Sequence, residues 1–305
     1  MRDIYLSTYC VAFQDYPWLA ECIRTFPDFP VGVEFATSWT TPNFDENLVR
    51  QIPVFSHLPI TLHAPFVEER TIPGSPEEQF MEKEYNKACR LYHQFHATSM
   101  VMHTHEGSFP AQEGDRWRAR SLEVLLDWTR RMIDEGIHVT VENVGYPKKN
   151  SVLFDQEQFV ALFDRLPQEV GCLIDTGHAM LNRWDIPALI RRMGTRIKGY
   201  HLNNNDGFHD SHYPIYDPEG FCSHQEMDDI LRAIAQYTPQ AHLVLEYAPD
   251  GRATMPVIHS DIRRVVQITE SLKQLYSLTN IARPGIRPLR PALPGRIFCV
   301  RFLSL

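Results

Sequence analysis

No C-x-x-C pair occurs in this chain, and its six cysteines are scattered. That excludes a small disulfide framework and a cysteine-held zinc knot, and it reads as reduced thiols in a cytoplasmic protein. Positive charge is also short, with 30 Lys and Arg against 38 Asp and Glu and a formal net charge of -8. A generally basic nucleic-acid surface is thereby disfavoured. No apolar run is long enough to cross a bilayer, so no membrane association is expected. The opening MRDIYLSTYC has no basic stretch followed by a long apolar one, so no secretory signal is expected. No Gly-rich phosphate turn follows an early strand, which counts against an open dinucleotide-binding sheet. There is no internal repeat beyond an alternation of short and long segments.

That alternation is the main positive signal. Short β-rich runs read IYLSTY, VGVEFA, ITLHA, SMVMHTH, HVTVENV, GCLIDTG, IKGYHLN and HLVLEY. Between them lie amphipathic stretches such as PEEQFMEKEYNKACRLYHQF and DRWRARSLEVLLDWTRRMIDEG, the latter closing on Gly136 as a helix stop. The last helical pattern is VIHSDIRRVVQITESLKQLYSL. Apolar strands alternating with helices indicate a parallel sheet buried on both faces. Eight such units, in a chain with 43% hydrophobic residues, predict an α/β fold with a single (β/α)8 barrel over residues 1–279. Residues 280–305 are rich in Pro and Arg and carry no acidic residue, so they are expected to form an extended tail outside the barrel.

In such barrels active sites gather at the carboxyl ends of the strands. The second strand carries Glu34, the third His63, the fourth His103 and His105, and the fifth Glu142. The sixth carries Asp175 followed by His178, the seventh His201 and the eighth Glu246. The loop after the seventh strand adds Asp206, His209, Asp210 and His212. Each residue alone has a plainer role. Asp175 can cap the next helix, Glu34 can tie down the rim, and a single His after a strand is more often a hydrogen-bonded rim residue than a ligand. The set is harder to explain without metal, because facing buried carboxylates repel unless a cation lies between them. Imidazole with carboxylate suits Zn2+, Mn2+ or Fe2+ better than Ca2+ or Mg2+. Fourteen histidines, roughly twice ordinary usage, agree with this. Around the site, Arg70, Lys148, Lys149 and Arg183 are expected to form a sparse cationic lining, and Trp184 and Phe208 either an apolar wall against a sugar ring or packing of the rim.

The motifs LIDTGHA, VEN and HLNNNDGFHDSH together resemble the xylose isomerase-like TIM barrels, a superfamily that includes the metal-dependent apurinic (AP family 2) endonucleases. The resemblance implies two chemistries. In the endonuclease branch His63 and His103 would hold a first metal, and Glu142 would bridge it to a second. Asp175, His201 and Glu246 would complete the second, and His178, Asp210 and His212 would hold a third. This chain departs from that branch with HLNNNDG and with Ser211 between Asp210 and His212. That wording is closer to the sugar phosphate isomerases and epimerases. There, Glu142, Asp175, His201 and Glu246 would hold one ion, Glu142 and Glu246 would move protons, and His178 would contact a substrate hydroxyl. Glu34, Arg70, Lys148, Arg183, Trp184 and Phe208 would then border the substrate. The expectation is therefore a divalent-metal enzyme of one to three ions. Its first reading is a sugar (phosphate) isomerase or epimerase acting on a small carbohydrate-like or phosphorylated substrate, not on nucleic acid. The alternative is a zinc hydrolase of two or three ions. No oligomeric state follows from the sequence.

Overall fold

The computed structural model describes residues 3–11, 15–26, 30–35, 44–68 and 70–281. Its strands are β1 Ile4–Ser7, β2 Val31–Phe35, β3 Ile60–His63, β4 Met100–His103, β5 Val139–Glu142, β6 Gly171–Asp175, β7 Ile197–Leu202 and β8 His242–Leu245. All neighbours are parallel, and β1 pairs with both β2 and β8, which closes the barrel. Closure leaves no sheet edge to protect. The eight apolar runs of the sequence are thus the eight staves, as expected.

The helices are α1 Tyr16–Arg24, α2 Phe44–Phe55, α3 Pro76–Phe95, α4 Gly114–Asp134, α5 Gln156–Leu162, α6 Thr176–Leu181, α7 Ile186–Met193, α8 His224–Tyr237 and α9 Met255–Ile281. Their ends follow local chemistry. Ser75 Oγ accepts from the Glu78 amide at 3.2 Å to start α3, and capping boxes start α5 and α8. α4 stops before Gly136, whose φ of 77° suits glycine. α9 overruns the predicted helix at both ends and passes the 279 boundary by two residues. The rest of the predicted tail lies outside the described residues.

Register places the chemistry. His103 lies beside Glu142 across β4 and β5, and Asp175 beside His201 across β6 and β7. Close approach inside the barrel also dictates composition: a Cβ on Gly199 would stand 2.4 Å from His242 Nε2. Five cysteines are buried free thiols, and burial pushes Cys10 up to about 12, too high for a reactive thiolate. No described helix is long and apolar enough to cross a membrane.

One buried carboxyl makes stability depend on pH. Tyr247 donates to Asp261 Oδ2 at 2.8 Å, and burial raises the Asp261 carboxyl to about 7. A raised folded pKa means the folded state binds the proton more tightly than the unfolded chain. The resulting stability is present below about pH 4 and is lost as pH rises to about 7. Asp261→Asn should remove this slope, so its stability relative to wild type should rise by roughly 2–4 kcal/mol between pH 4 and pH 8. Denaturant melts at both pH values check this, and a constant difference between the two proteins would contradict it.

Candidate metal centre

Because the strands are parallel, their carboxyl ends share one mouth. Glu142 lies at its centre. Its Oε1 stands 3.2 Å from His201 Nδ1, and its Oε2 stands 3.4 Å from His63 Nε2 and 3.5 Å from His103 Nε2. Glu246 Oε2 approaches the same His201 Nδ1 at 3.3 Å. To one side, Asp210 lies between His178 Nε2 at 3.1 Å and His212 Nε2 at 3.2 Å. Four sets have ligand atoms within 4.8 Å of one another: three that share residues, His63–His103–Glu142, His63–His201–Glu246 and Glu142–Asp175–His201–Glu246, and a separate one, His178–Asp210–His212. All nine sequence-assigned ligands are therefore brought to one place.

Four of the five imidazoles are held from behind. His63 Nδ1 donates to the Ala64 carbonyl at 2.8 Å, His178 Nδ1 to the Asn143 carbonyl at 3.0 Å and His212 Nδ1 to the Glu246 carbonyl at 3.1 Å. His103 Nδ1 is bonded to Glu106 Oε1. An acceptor behind the ring fixes the proton there and turns the other nitrogen's lone pair inward, the arrangement found behind metal-binding histidines. His63 Nε2 and His103 Nε2 face each other at 3.0 Å, so with both protons outward a shared proton or a cation must lie between them. His201 differs: Nε2 lies 3.0 Å from Glu34 Oε1, in a geometry that leaves both atoms without a hydrogen bond. Glu34 is tied to Thr61 Oγ1 at 3.1 Å. It sits beneath the ring and does not line the cavity.

The sixth strand end explains its own sequence. Asp175 Oδ1 caps α6 by accepting from the His178 amide at 2.6 Å, and Oδ2 accepts from Asn203 Nδ2 at 2.6 Å. Asn143 clamps the Asp175 backbone through bonds of 2.8 and 3.0 Å. Thr-Gly follows because a Cβ on Gly177 would stand 1.9 Å from Asn203 Oδ1. His212 has φ 45°, an unusual conformation for a histidine, and its carbonyl is held by the Ala248 amide at 2.8 Å.

Burial pushes Glu142 toward the neutral acid, but His201 and His103 outweigh it and hold the carboxyl well below its usual range. Burial opposes charge on His178 and His212 as well. Asp210 more than compensates in both, leaving His178 well above its ordinary value and His212 pushed up to about 10. Without metal this centre holds protons in the places a cation would take. Glu142 Oε2 and His201 Nδ1 are buried without a hydrogen bond. Inward lone pairs, carboxylates beside them and buried polar atoms left unsatisfied together fit one or more divalent ions.

The cavity over this cluster measures about 230 Å³, with Tyr9, Phe66, Tyr146 and Lys149 on its walls. The predicted border residues mostly lie elsewhere. Arg70 turns away to Glu68 Oε1 at 2.8 Å and the Glu106 carbonyl at 2.7 Å. Arg183 lies over Phe221 at 4.2 Å, Trp184 packs on Phe159 with ring centres 5.5 Å apart, and Lys148 is bonded to His209. Phe208 is 65% exposed. None of these five lines the cavity, because other loops offered each a nearer partner or left it in solvent. His105 lines it without joining a ligand set. It donates to the Ser151 carbonyl at 2.7 Å, and burial lowers it to about 4, so it is neutral. Sequence reasoning missed Glu106, Asn143, Asn203, Tyr9 and Tyr146. The spacing of HTHE, with Glu106 three residues after His103, and the Asn of VEN were the available signals for the first two.

Comparison with solved structures gives the same barrel. The IOLI protein with a bound zinc atom superposes at TM-score 0.69 and 16% identity, covering 88% of this chain and 98% of that one. D-psicose 3-epimerase from Clostridium cellulolyticum H10, with D-tagatose, gives 0.66 and 11%, covering 88% and 98%. AP endonuclease, family 2, from Brucella melitensis gives 0.61 and 17%, covering 82% and 94%. At these identities the likeness establishes the fold. No curated protein sequence matches. The model of the xylose isomerase-like TIM barrel matches residues 32–274, from β2 into α9, and the chain belongs to that family.

Proposed function

We propose that this protein is a metal-dependent hydrolase of a small phosphoester, in which Glu142 would be a ligand common to two divalent ions and His178, Asp210 and His212 could hold a third. The carrying observation is that the two Glu142 oxygens face different ligand groups, Oε1 facing His201 and Oε2 facing the His63–His103 pair. A carboxylate presented to ligands on both sides suits a residue common to two ions. This arrangement supports placing hydrolysis ahead of the proton-transfer reading that the loop wording favours. Divalent ions here would polarise a phosphoryl oxygen and make a bound water acidic. The chain itself sets the spacing through Glu142, steadies Asp210 between His178 and His212, and narrows the mouth with Tyr9 and Phe66. A cavity of about 230 Å³ suits a small molecule rather than a duplex.

The isomerase or epimerase reading keeps one supporting observation. Glu142 and Glu246 both flank His201, as two proton carriers on either side of a substrate would. The neighbouring D-psicose 3-epimerase with D-tagatose supports the same class. The test is to incubate zinc- or manganese-loaded protein with a panel of sugar phosphates and free ketohexoses in D2O. Chelator-sensitive release of inorganic phosphate is expected. Deuterium exchange at carbon without phosphate release would replace hydrolysis by the isomerase reading, and neither signal would refute the phosphoester proposal.

A further inference from the structure

The Lys148–Lys149 pair divides its work. Lys148 reaches across to His209, whose Nδ1 donates to Asp206 Oδ2 at 2.7 Å. Lys149 instead lines the cavity, the one Lys or Arg to do so among the described residues. The other cations of this face are committed: Arg70 to Glu68 and the Glu106 carbonyl, and Arg183 to the Phe221 ring. No hydrogen bond or ion pair ties the Lys149 side chain to a described residue. Its backbone, by contrast, is firmly placed. The 3-10 turn Pro147–Lys149 closes with the Lys149 amide donating to the Tyr146 carbonyl at 3.2 Å and the Asn150 amide to Pro147 at 3.0 Å. Asn150 takes φ 51°, and its carbonyl accepts from the Phe109 amide at 3.2 Å. Behind the turn, a Cβ on Gly145 would stand 1.9 Å from the Ser151 carbonyl oxygen, and that same oxygen accepts from His105. The turn is thus a fixed base for an exposed ammonium beside Tyr146 on the cavity wall.

We propose that Lys149 is the specificity-determining residue for an anionic group, phosphate or carboxylate, on the substrate of this site. The inference rests on the reading of the cavity as a substrate pocket over metal. With a neutral sugar the exposed ammonium keeps only water and the charge of Glu106 on the same wall, whereas an anion gives it a direct charge-assisted hydrogen bond. The ammonium is a point charge on a flexible stem, so it can follow the anion of a small substrate while the ligand cluster holds the reacting end.

The test titrates zinc-loaded full-length protein calorimetrically with D-ribose 5-phosphate, D-ribonate and D-ribose, with zinc counted on the same samples. Wild type should bind at least one anion about tenfold or more tightly than ribose. Lys149→Met should cut that margin several-fold, leaving only what the ions contribute, without changing ribose binding or zinc content, and Lys149→Arg should keep most of it. A margin for ribose 5-phosphate alone assigns phosphate, and one for ribonate alone assigns carboxylate. Should Lys149→Met unfold, Lys149→Gln answers the same question. The proposal fails if Lys149→Met binds both anions like wild type, if wild type prefers neither anion, or if the folded variant loses zinc. A Lys149-dependent margin in protein that takes up no zinc would refute the metal reading and leave this one standing.

Discussion

Glu142→Gln should leave the barrel folded and abolish turnover. The substitution keeps the shape of a side chain buried among four imidazoles, with His201, His63, His103 and His178 within 3.9 Å. It removes the charge and turns one oxygen into a donor. In a shared-ligand centre that breaks both ion sites together, so metal content and rate should fall in step. Loss of a positioned acid–base group alone typically costs roughly a hundred- to ten-thousandfold in rate, and loss of ions adds to this. Kinetics and a metal count on the same purified variant check the expectation. A variant that keeps its ions and loses only rate would mark Glu142 as a base and restore the isomerase reading. A folded variant of normal rate would remove Glu142 from both.

Stripping metal should lower thermal stability by on the order of 10 °C. Ions that bind only the folded chain stabilise it by mass action, about 4 kcal/mol at a thousandfold excess over Kd. A chain of this size shifts by roughly 2–4 °C per kcal/mol. Without ions, Glu142 and Glu246 must face one another across His201 with protons as the only counter-charges. Those protons leave on loading, since ligands bind metal deprotonated. Zinc added to stripped protein in weak buffer should therefore acidify the solution while restoring the melting temperature. Coincident melting curves with and without chelator would contradict a metal-held centre.

Much of this was legible in the sequence because strands write their function at their ends. The period and length of runs such as GCLID and VTVE marked buried staves, and the residue at each carboxyl end then had to face the mouth. No loop conformation was needed to bring His63, Glu142 or Asp175 together. The border residues were harder, since a loop side chain has several partners within reach. Arg70 chose Glu68 and a carbonyl, and Trp184 chose Phe159. Lys149 could not be told from Lys148 until the turn fixed which one faces inward. Glu106 and Asn203 do their work behind a ligand, through contacts of the folded chain. Loop wording favours proton transfer, whereas the feature that supports hydrolysis, which oxygen of Glu142 faces which ring, exists only in three dimensions.

The most direct test is the number of ions per chain, by mass spectrometry of protein purified without chelator. Two or three zinc or manganese ions per chain are expected. Asp210→Ala combined with His212→Ala should remove one of them, because Asp210 lies between the two rings that would share that ion. A single ion per chain, unchanged in the double variant, would contradict the shared-ligand centre and with it the hydrolytic reading.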